Sequence, residues 1–297
     1  MSNKPRKMTL EKKHNLTGWA FLAPATFLIA VFSFWPMIKA LVLSFQTGKG
    51  RNMQMAGFTN YIRMFQDDVF IQSIKNTFFY FILQVPIMLV VALVLACILN
   101  KKDLRFKGFF RTMIFLPCTT SLVAYSIIFR SLFANDGLVN YVLVNIGILD
   151  KPYNFLTQPF AAKIVIILAL LWRWTGYNMV FFLSGLQNIE YSVYEAAKID
   201  GASAIQTFFK ITVPLLKPTI LLTAIMSTNG TLQLFDESVN LTDGGPANAS
   251  ISMSHYIYNL CFKYVPNFGY AAAMSFFILL LVAVLALIQM RVGDKRD

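Results

Sequence analysis

Six apolar runs, each close to the length of a bilayer-crossing helix, leave this chain few folds to choose from. They lie near residues 18–40, 76–99, 111–133, 163–186, 215–235 and 269–290. About 20 apolar residues carry an α-helix across a ~30 Å hydrocarbon core. Inside that core each backbone N–H and C=O must be bonded within the protein, so long apolar runs are expected as helices. The chain therefore reads as all-α, a polytopic membrane protein with six transmembrane helices. Only 13% of its residues are charged and 57% are hydrophobic, against about a quarter charged in soluble domains. Pro24, Pro86 and Pro117 fall inside runs; in a membrane bundle neighbouring helices can satisfy the carbonyls they free.

The basic balance, a net charge of +12, fits orientation in a bilayer better than nucleic-acid binding, because the cations gather at run ends. With the N-terminus inside, inner segments hold 16 Lys and Arg and outer segments 8. That excess places both termini in the cytoplasm. The N-terminal run is too long for a cleaved signal segment and ends in no A-x-A site, so it reads as a retained span. The expected division is a basic cytoplasmic tail (1–17), a first transmembrane helix (18–45), a five-helix core (70–291) and a cytoplasmic tail (292–297). Cys97, Cys118 and Cys261 are widely separated and suggest neither disulfides nor a metal site.

Residues 188–214 form a polar interruption inside the core and face the cytoplasm in this topology. Ser192-x-x-Glu195 and Ser203-x-x-Gln206 are capping-box patterns that mark two helix starts. Gly201 lies between them, where a helix stop needs a residue free of the Cβ penalty. Two short amphipathic helices joined at Gly201 are expected, with Ile205, Phe208 and Phe209 on one face of the second.

The spacing of Glu195-Ala196-Ala197, Gly201 and Ile211-x-x-Pro214 resembles the coupling motif of ATP-binding-cassette (ABC) importer permeases. Where that family usually has Leu before the final proline, this chain has Val213, a mild apolar swap. The likeness extends along nearly the whole chain. Phe21-Leu22-Ala23-Pro24-Ala25 with Trp35-Pro36 resembles the first span of carbohydrate-uptake permeases of the maltose and glycerol-3-phosphate type. Asn60-Tyr61, Lys75-Asn76-Thr77, Arg111 with Leu116-Pro117, Gly137-Leu138-Val139-Asn140 and Leu241-Thr242-Asp243-Gly244-Gly245-Pro246 all fall where that family has similar residues.

The resemblance implies a type I ABC importer permease in a bacterial or archaeal cytoplasmic membrane. It implies a second homologous permease, two ATPase subunits and an extracytoplasmic substrate-binding protein as partners, with a sugar, most simply an oligosaccharide, as substrate. ATP and Mg would sit on the ATPase subunits and no cofactor on this chain. The chain has no G-x-x-x-x-G-K-[ST] of its own. The implied ATPase-docking residues are Glu195, Ala196, Ala197, Asp200, Gly201, Ile205, Phe208, Phe209 and Pro214.

Depth selects the substrate-pathway candidates. Arg173 lies about ten residues, roughly 15 Å, into the fourth run, where a cation costs at least ~2.5 kcal/mol unless it meets a partner or water. It reads either as a residue paired to a neighbouring helix or as a pathway residue beside Trp174 and Tyr177. Those three are also the positions that the maltose-permease resemblance points to. The fifth run has a polar centre of Ser227, Asn229, Thr231 and Gln233, which reads either as pathway or as interhelical glue. Asp236 and Glu237 are expected at the outer boundary. Glycerol phosphodiesters and polyols stand as alternative substrates. A secondary transporter is disfavoured, since the runs hold no chain of carboxylates or histidines and no evident inverted repeat. A membrane enzyme is disfavoured because His14 and His255 are the only histidines and lie outside the runs.

Overall fold

The computed structural model describes residues 9–49, 52–101 and 103–293. Four helices are long and apolar enough to cross a membrane, and six spans result if two bent helix pairs each count as one. The structural assignment matches the expected all-α membrane bundle, with one small addition. A hairpin pairs Gln46–Lys49 with Asn52–Met55, antiparallel, with Gln46 opposite Met55. That end of the bundle is called the hairpin end below.

The first helix, Leu10–Ser44, begins well before residue 18 and stands apart from the bundle, its apolar window 0% buried. Only its last part, Trp35–Ser44, packs on the sixth span, Phe268–Gly293. Of the expected tails, residues 1–8 and 294–297 lie outside the described residues. Asn60, in the short helix after the hairpin, donates to the carbonyls of Ser44 at 2.9 Å and Gln46 at 2.8 Å. It thereby satisfies the carbonyls that the helix end leaves open.

The core is built on the second span, Asp68–Leu99, packed lengthwise on the fourth, Pro159–Gln187. Toward the hairpin end Phe70, Tyr256, Tyr270 and Met274 cluster; in the middle Tyr80, Tyr125, Ile166 and Leu170; at the opposite end Leu93, Met179, Phe182 and Leu216. Lipid is as apolar as these side chains, so close packing and polar cross-links, rather than the hydrophobic effect, hold such helices together. Thr231 donates to Gln84 at 2.8 Å, Ser227 to Asn178 at 3.2 Å, and Gln289 to Thr228 at 2.7 Å. These bonds tie the fifth span to the second, fourth and sixth, each worth roughly 0.6 kcal/mol.

The third and fifth apolar runs are not straight spans. The third is a pair, Lys107–Thr119 and Leu122–Leu132, bent by 99°. Pro117 lacks an N–H, and the hydroxyls of Thr119 and Thr120 turn back to the carbonyls of Leu116 and Pro117 at 2.8 and 2.7 Å. Local hydroxyls thus take over bonds that a continuing helix would make. The fifth is the pair Ala204–Leu215 and Lys217–Leu232, bent by 71°; its first arm belongs to the polar interruption, not to the bilayer-crossing part.

At the hairpin end the connection after the fifth span is pinned down. Asn76 donates to the carbonyls of Asn248 and Ile251 at 3.1 and 2.9 Å, and Tyr80 to Ser250 at 3.0 Å. Asp67 is the central staple: its Oδ1 accepts from the amides of Val69 and Phe70, and its Oδ2 from the hydroxyls of Tyr256 and Tyr270, both 2.7 Å. Burial alone would raise its carboxyl, but these four bonds outweigh it and hold the group below the usual carboxylate range. A depressed folded pKa gives stability above the unfolded value of about 3.9 that is lost as pH falls through the folded one. Asp67→Ala is expected to cost about 1–2 kcal/mol, read as a lower melting temperature in detergent at pH 7. The deficit relative to wild type should shrink as the pH is taken below about 4. An unchanged melting temperature at pH 7 would refute the staple.

Candidate functional site

Two regions hold the sequence-derived candidates. The first is the polar interruption, folded as the expected helix–turn–helix. Helix Tyr191–Ile199 ends on Asp200, and Gly201 follows with φ +75°. The amide of Ala202 bonds the carbonyl of Ala197 at 2.9 Å, and that of Gly201 bonds Lys198 at 3.2 Å. This paired closure requires the left-handed residue that only glycine supplies without strain. The second helix opens with the expected capping box: Gln206 donates its amide to Ser203 Oγ at 3.3 Å, and the Ser203 amide donates to Gln206 Oε1 at 2.8 Å. The Ser192–Glu195 box does not form. Glu190 is the N-cap residue, which puts Ser192 inside the first turn, where its hydroxyl donates to Glu190 at 3.4 Å. Glu195 is left exposed and unbound to that cap.

Burial divides the docking candidates. Glu195, Ala196, Asp200, Gly201, Ile205, Phe209 and Pro214 are exposed. Ala197 is 6% exposed and Phe208 packs against the cluster of Leu93, Met179 and Leu216. Phe208 thus fastens the segment to the bundle, and Ala197 is buried where the Gly201 turn closes on it. The rings of Phe208 and Phe209 meet edge to face at 5.0 Å, but Phe208, which opens the π-helical turn Phe208–Thr212, packs inward while Phe209 stays exposed. The expected shared face of Ile205, Phe208 and Phe209 is therefore only Ile205 and Phe209. Ile199, which the sequence reading passed over, is a third apolar side chain of the segment left outside, 85% exposed. Its signal was an apolar side chain on the polar side of a helix, directly before the turn.

The second region is a cavity of about 380 Å³ between the second, fourth and fifth spans, roofed by a short helix, Asp236–Thr242. Arg173, Trp174, Tyr177, Ser227, Thr231 and Gln233 all line it, so the structure brings most pathway candidates together. Asn229 instead lines a groove toward the sixth span with Ser254 and Ser275; Gln233 borders both spaces. Ser227 and Thr231 also serve as the interhelical bonds described above, so the two sequence readings of those residues hold at once. The sequence missed Gln84 and Asn178, their partners; an amide deep in an apolar run was the available signal.

Arg173 is 6% exposed and lies at the bend of the third span. Nη1 donates to the carbonyl of Thr120 at 2.9 Å, and the guanidinium sits 4.8 Å from the Tyr125 ring and 5.3 Å from the Trp174 ring. The Tyr125 hydroxyl donates to Glu237 at 2.6 Å. Glu237 is 4% exposed, which corrects its expected place at the outer boundary: the chain turns at Phe235 and folds the short helix back onto the bundle instead of running out to solvent. One turn on from Arg173, a Cβ on Gly176 would fall 1.9 Å from the carbonyl oxygen of Ile114. Only glycine lets the third span's first arm come so near the fourth. Among the described residues no group of three or more His, Cys, Asp or Glu is arranged to hold a metal ion.

Residues 68–296 match the family described as binding-protein-dependent transport system inner membrane component. The chain belongs to this family. Its relatives include the lactose transport system permease protein LacF of Rhizobium radiobacter, 52% identical over 98% of both chains. The multiple sugar-binding transport system permease protein MsmF of Streptococcus mutans is 33% identical over 97% of this chain and 99% of its own. The sn-glycerol-3-phosphate transport system permease protein UgpA of Agrobacterium fabrum is 30% identical over 95% and 96%. A solved bacterial alginate ABC transporter, in complex with an alginate pentasaccharide-bound periplasmic protein, contains a chain that superimposes with a TM-score of 0.83, 26% identical, 96% of each chain covered. The permease is thus a membrane-embedded component of a transport system that depends on a binding protein.

Replacing Arg173 with Leu in this permease would strip the Thr120 carbonyl of its donor and Tyr125 of its cation. A hydrogen bond to a charged group contributes about 1.5–3 kcal/mol. Purified Arg173→Leu is therefore expected to unfold at clearly lower temperature than wild type in the same detergent. An unaltered thermal transition would contradict the anchoring role.

Proposed function

We propose that this permease is one half of the membrane pathway of an ATP-driven sugar importer, working by alternating access. The observation that carries the reading is the exposed apolar set of Ile199, Ile205 and Phe209 beside Glu195 and Asp200, mounted on two helices fastened to the fourth and fifth spans. An apolar patch rimmed by carboxylates at the end of a membrane bundle is suited to a soluble partner rather than to lipid. That partner is a cytoplasmic ATPase subunit, which holds the ATP and Mg; this chain performs no hydrolysis. Both termini then lie in the cytoplasm, as the Lys and Arg bias argues.

Completion of the pathway falls to a second permease. The fifth span shows an outward stripe of Leu222, Met226, Asn229, Gly230 and Gln233, and three of these residues also border the cavity. The cavity is therefore open on that side, where a facing subunit would close it. At the hairpin end Phe262, Tyr264 and Val265 are 71, 50 and 64% exposed and offer the binding protein an apolar landing.

Relatives named for lactose, arabinooligosaccharides and multiple sugars favour a saccharide in the cavity. The indole of Trp174 and the phenol of Tyr177, 5.8 Å apart and nearly perpendicular, suit the C–H faces of a sugar ring. Lactose is the first substrate to test.

Two variants separate drive from passage. Gly201→Asp introduces a Cβ that meets nothing within 4 Å in this chain and costs roughly 1–2 kcal/mol of backbone strain, so the permease should still insert. It is expected to lose co-purification of the ATPase and all ATP-dependent uptake. Trp174→Ala should keep the assembly and lower lactose uptake about tenfold or more, the loss of a stacking contact of about 1–2 kcal/mol. A fully assembled, fully active Gly201→Asp complex would refute the docking assignment.

A further inference from the structure

The cavity walls are unequally charged. Among its lining residues Arg173 is the cation, and Asp236 and Glu237 are carboxylates. The guanidinium is turned to the Thr120 carbonyl and the two ring faces, and Glu237 is engaged by the Tyr125 hydroxyl. Asp236 stands differently. It is half-buried, borders the cavity, and neither accepts a hydrogen bond nor forms an ion pair among the described residues. A carboxylate offers only acceptor positions. At the border of the cavity, where the Gln84 and Asn178 oxygens already accept from Thr231 and Ser227, it matches a ligand rich in hydroxyl donors. A uronic acid, a sulfated sugar or a phosphodiester would bring a second anion to the same wall, and like charges set together cost several-fold to many-fold in affinity.

We propose that Asp236 is the specificity-determining residue of this permease, accepting hydroxyl hydrogen bonds from uncharged saccharides and, with Glu237, turning away anionic ones. The inference rests on the placing of the sugar in this cavity. Arg173, the cation of the same cavity, directs Nη1 to the Thr120 carbonyl and its face to the Tyr125 and Trp174 rings.

The test is equilibrium binding of lactose and of lactobionate, the open-chain aldonate made by oxidising its reducing end, to the assembled permease–ATPase complex in nanodiscs, with lactitol as the neutral open-chain control. Leaving out the binding protein removes its own selectivity. Wild type is expected to favour lactose by at least about tenfold, with the preference shrinking as salt screens the charges. Asp236→Asn should bring the two affinities within a few-fold, and Asp236→Glu should restore the preference. Asp243→Asn, which alters an exposed carboxylate paired to Lys263, should leave the preference in place. Equal binding of both sugars by wild type, or an Asp236→Asn ratio like that of wild type, would overturn the role of Asp236 while leaving the sugar in the cavity. Binding of neither sugar would overturn the placing of the sugar as well.

Discussion

A guanidinium at the depth of Arg173 can persist in a bilayer only if something there needs it, and the bend of the third span does. Breaking a helix inside the hydrocarbon region exposes carbonyls that water cannot reach. Thr119 and Thr120 satisfy two of these with their own hydroxyls, and Arg173 takes the carbonyl of Thr120. From that point the contacts run outward. The guanidinium packs on Tyr125, Tyr125 holds Glu237, and Glu237 fixes the short helix that roofs the cavity. Gly176 works from the other side by letting the third span's first arm lie against the fourth backbone to backbone. The cavity exists because one span is broken, and the break is tolerable because one cation is buried beside it.

The polar interruption follows a different physical rule. Its helices are too short to be stable alone in water, so they depend on Phe208 packed against the bundle, on the Tyr194–Thr212 hydroxyl bond and on the paired closure at Gly201. What remains outward is a small apolar set with carboxylates around it. In the proposed docking, a displacement of those helices would be carried to the fourth and fifth spans, which together form most of the cavity wall. Drive and passage are thus attached to the same two helices.

Much of this was legible in the sequence, for reasons that can be named. Run length gave the spans, since the hydrocarbon thickness admits little else. The helix–turn–helix at Gly201 could be read because glycine and a capping box act through local backbone chemistry alone. Other features depend on tertiary contacts and left weaker traces. The bend in the third span left only a weak trace, the polar Thr119-Thr120-Ser121 after Pro117, because a proline in a membrane helix can either kink it or be absorbed. The Ser192–Glu195 box failed through a shift in where the helix starts, which local pattern does not settle. Phe208 turned inward at a π-helical turn that has no sequence signature. Glu237 was misplaced because an unbroken 1.5 Å rise was assumed up to a residue that the chain in fact folds back.

The central claim is that transport is powered from the end carrying Ile199, Ile205 and Phe209 by a separate ATPase. The most direct measurement is radiolabelled lactose uptake into proteoliposomes holding the permease pair and ATPase, with binding protein outside. Uptake is expected when ATP is enclosed on the side facing those three residues, and none when ATP is absent or the ATPase is left out. Uptake by the permease pair alone, driven by an ion gradient without ATP, would contradict it.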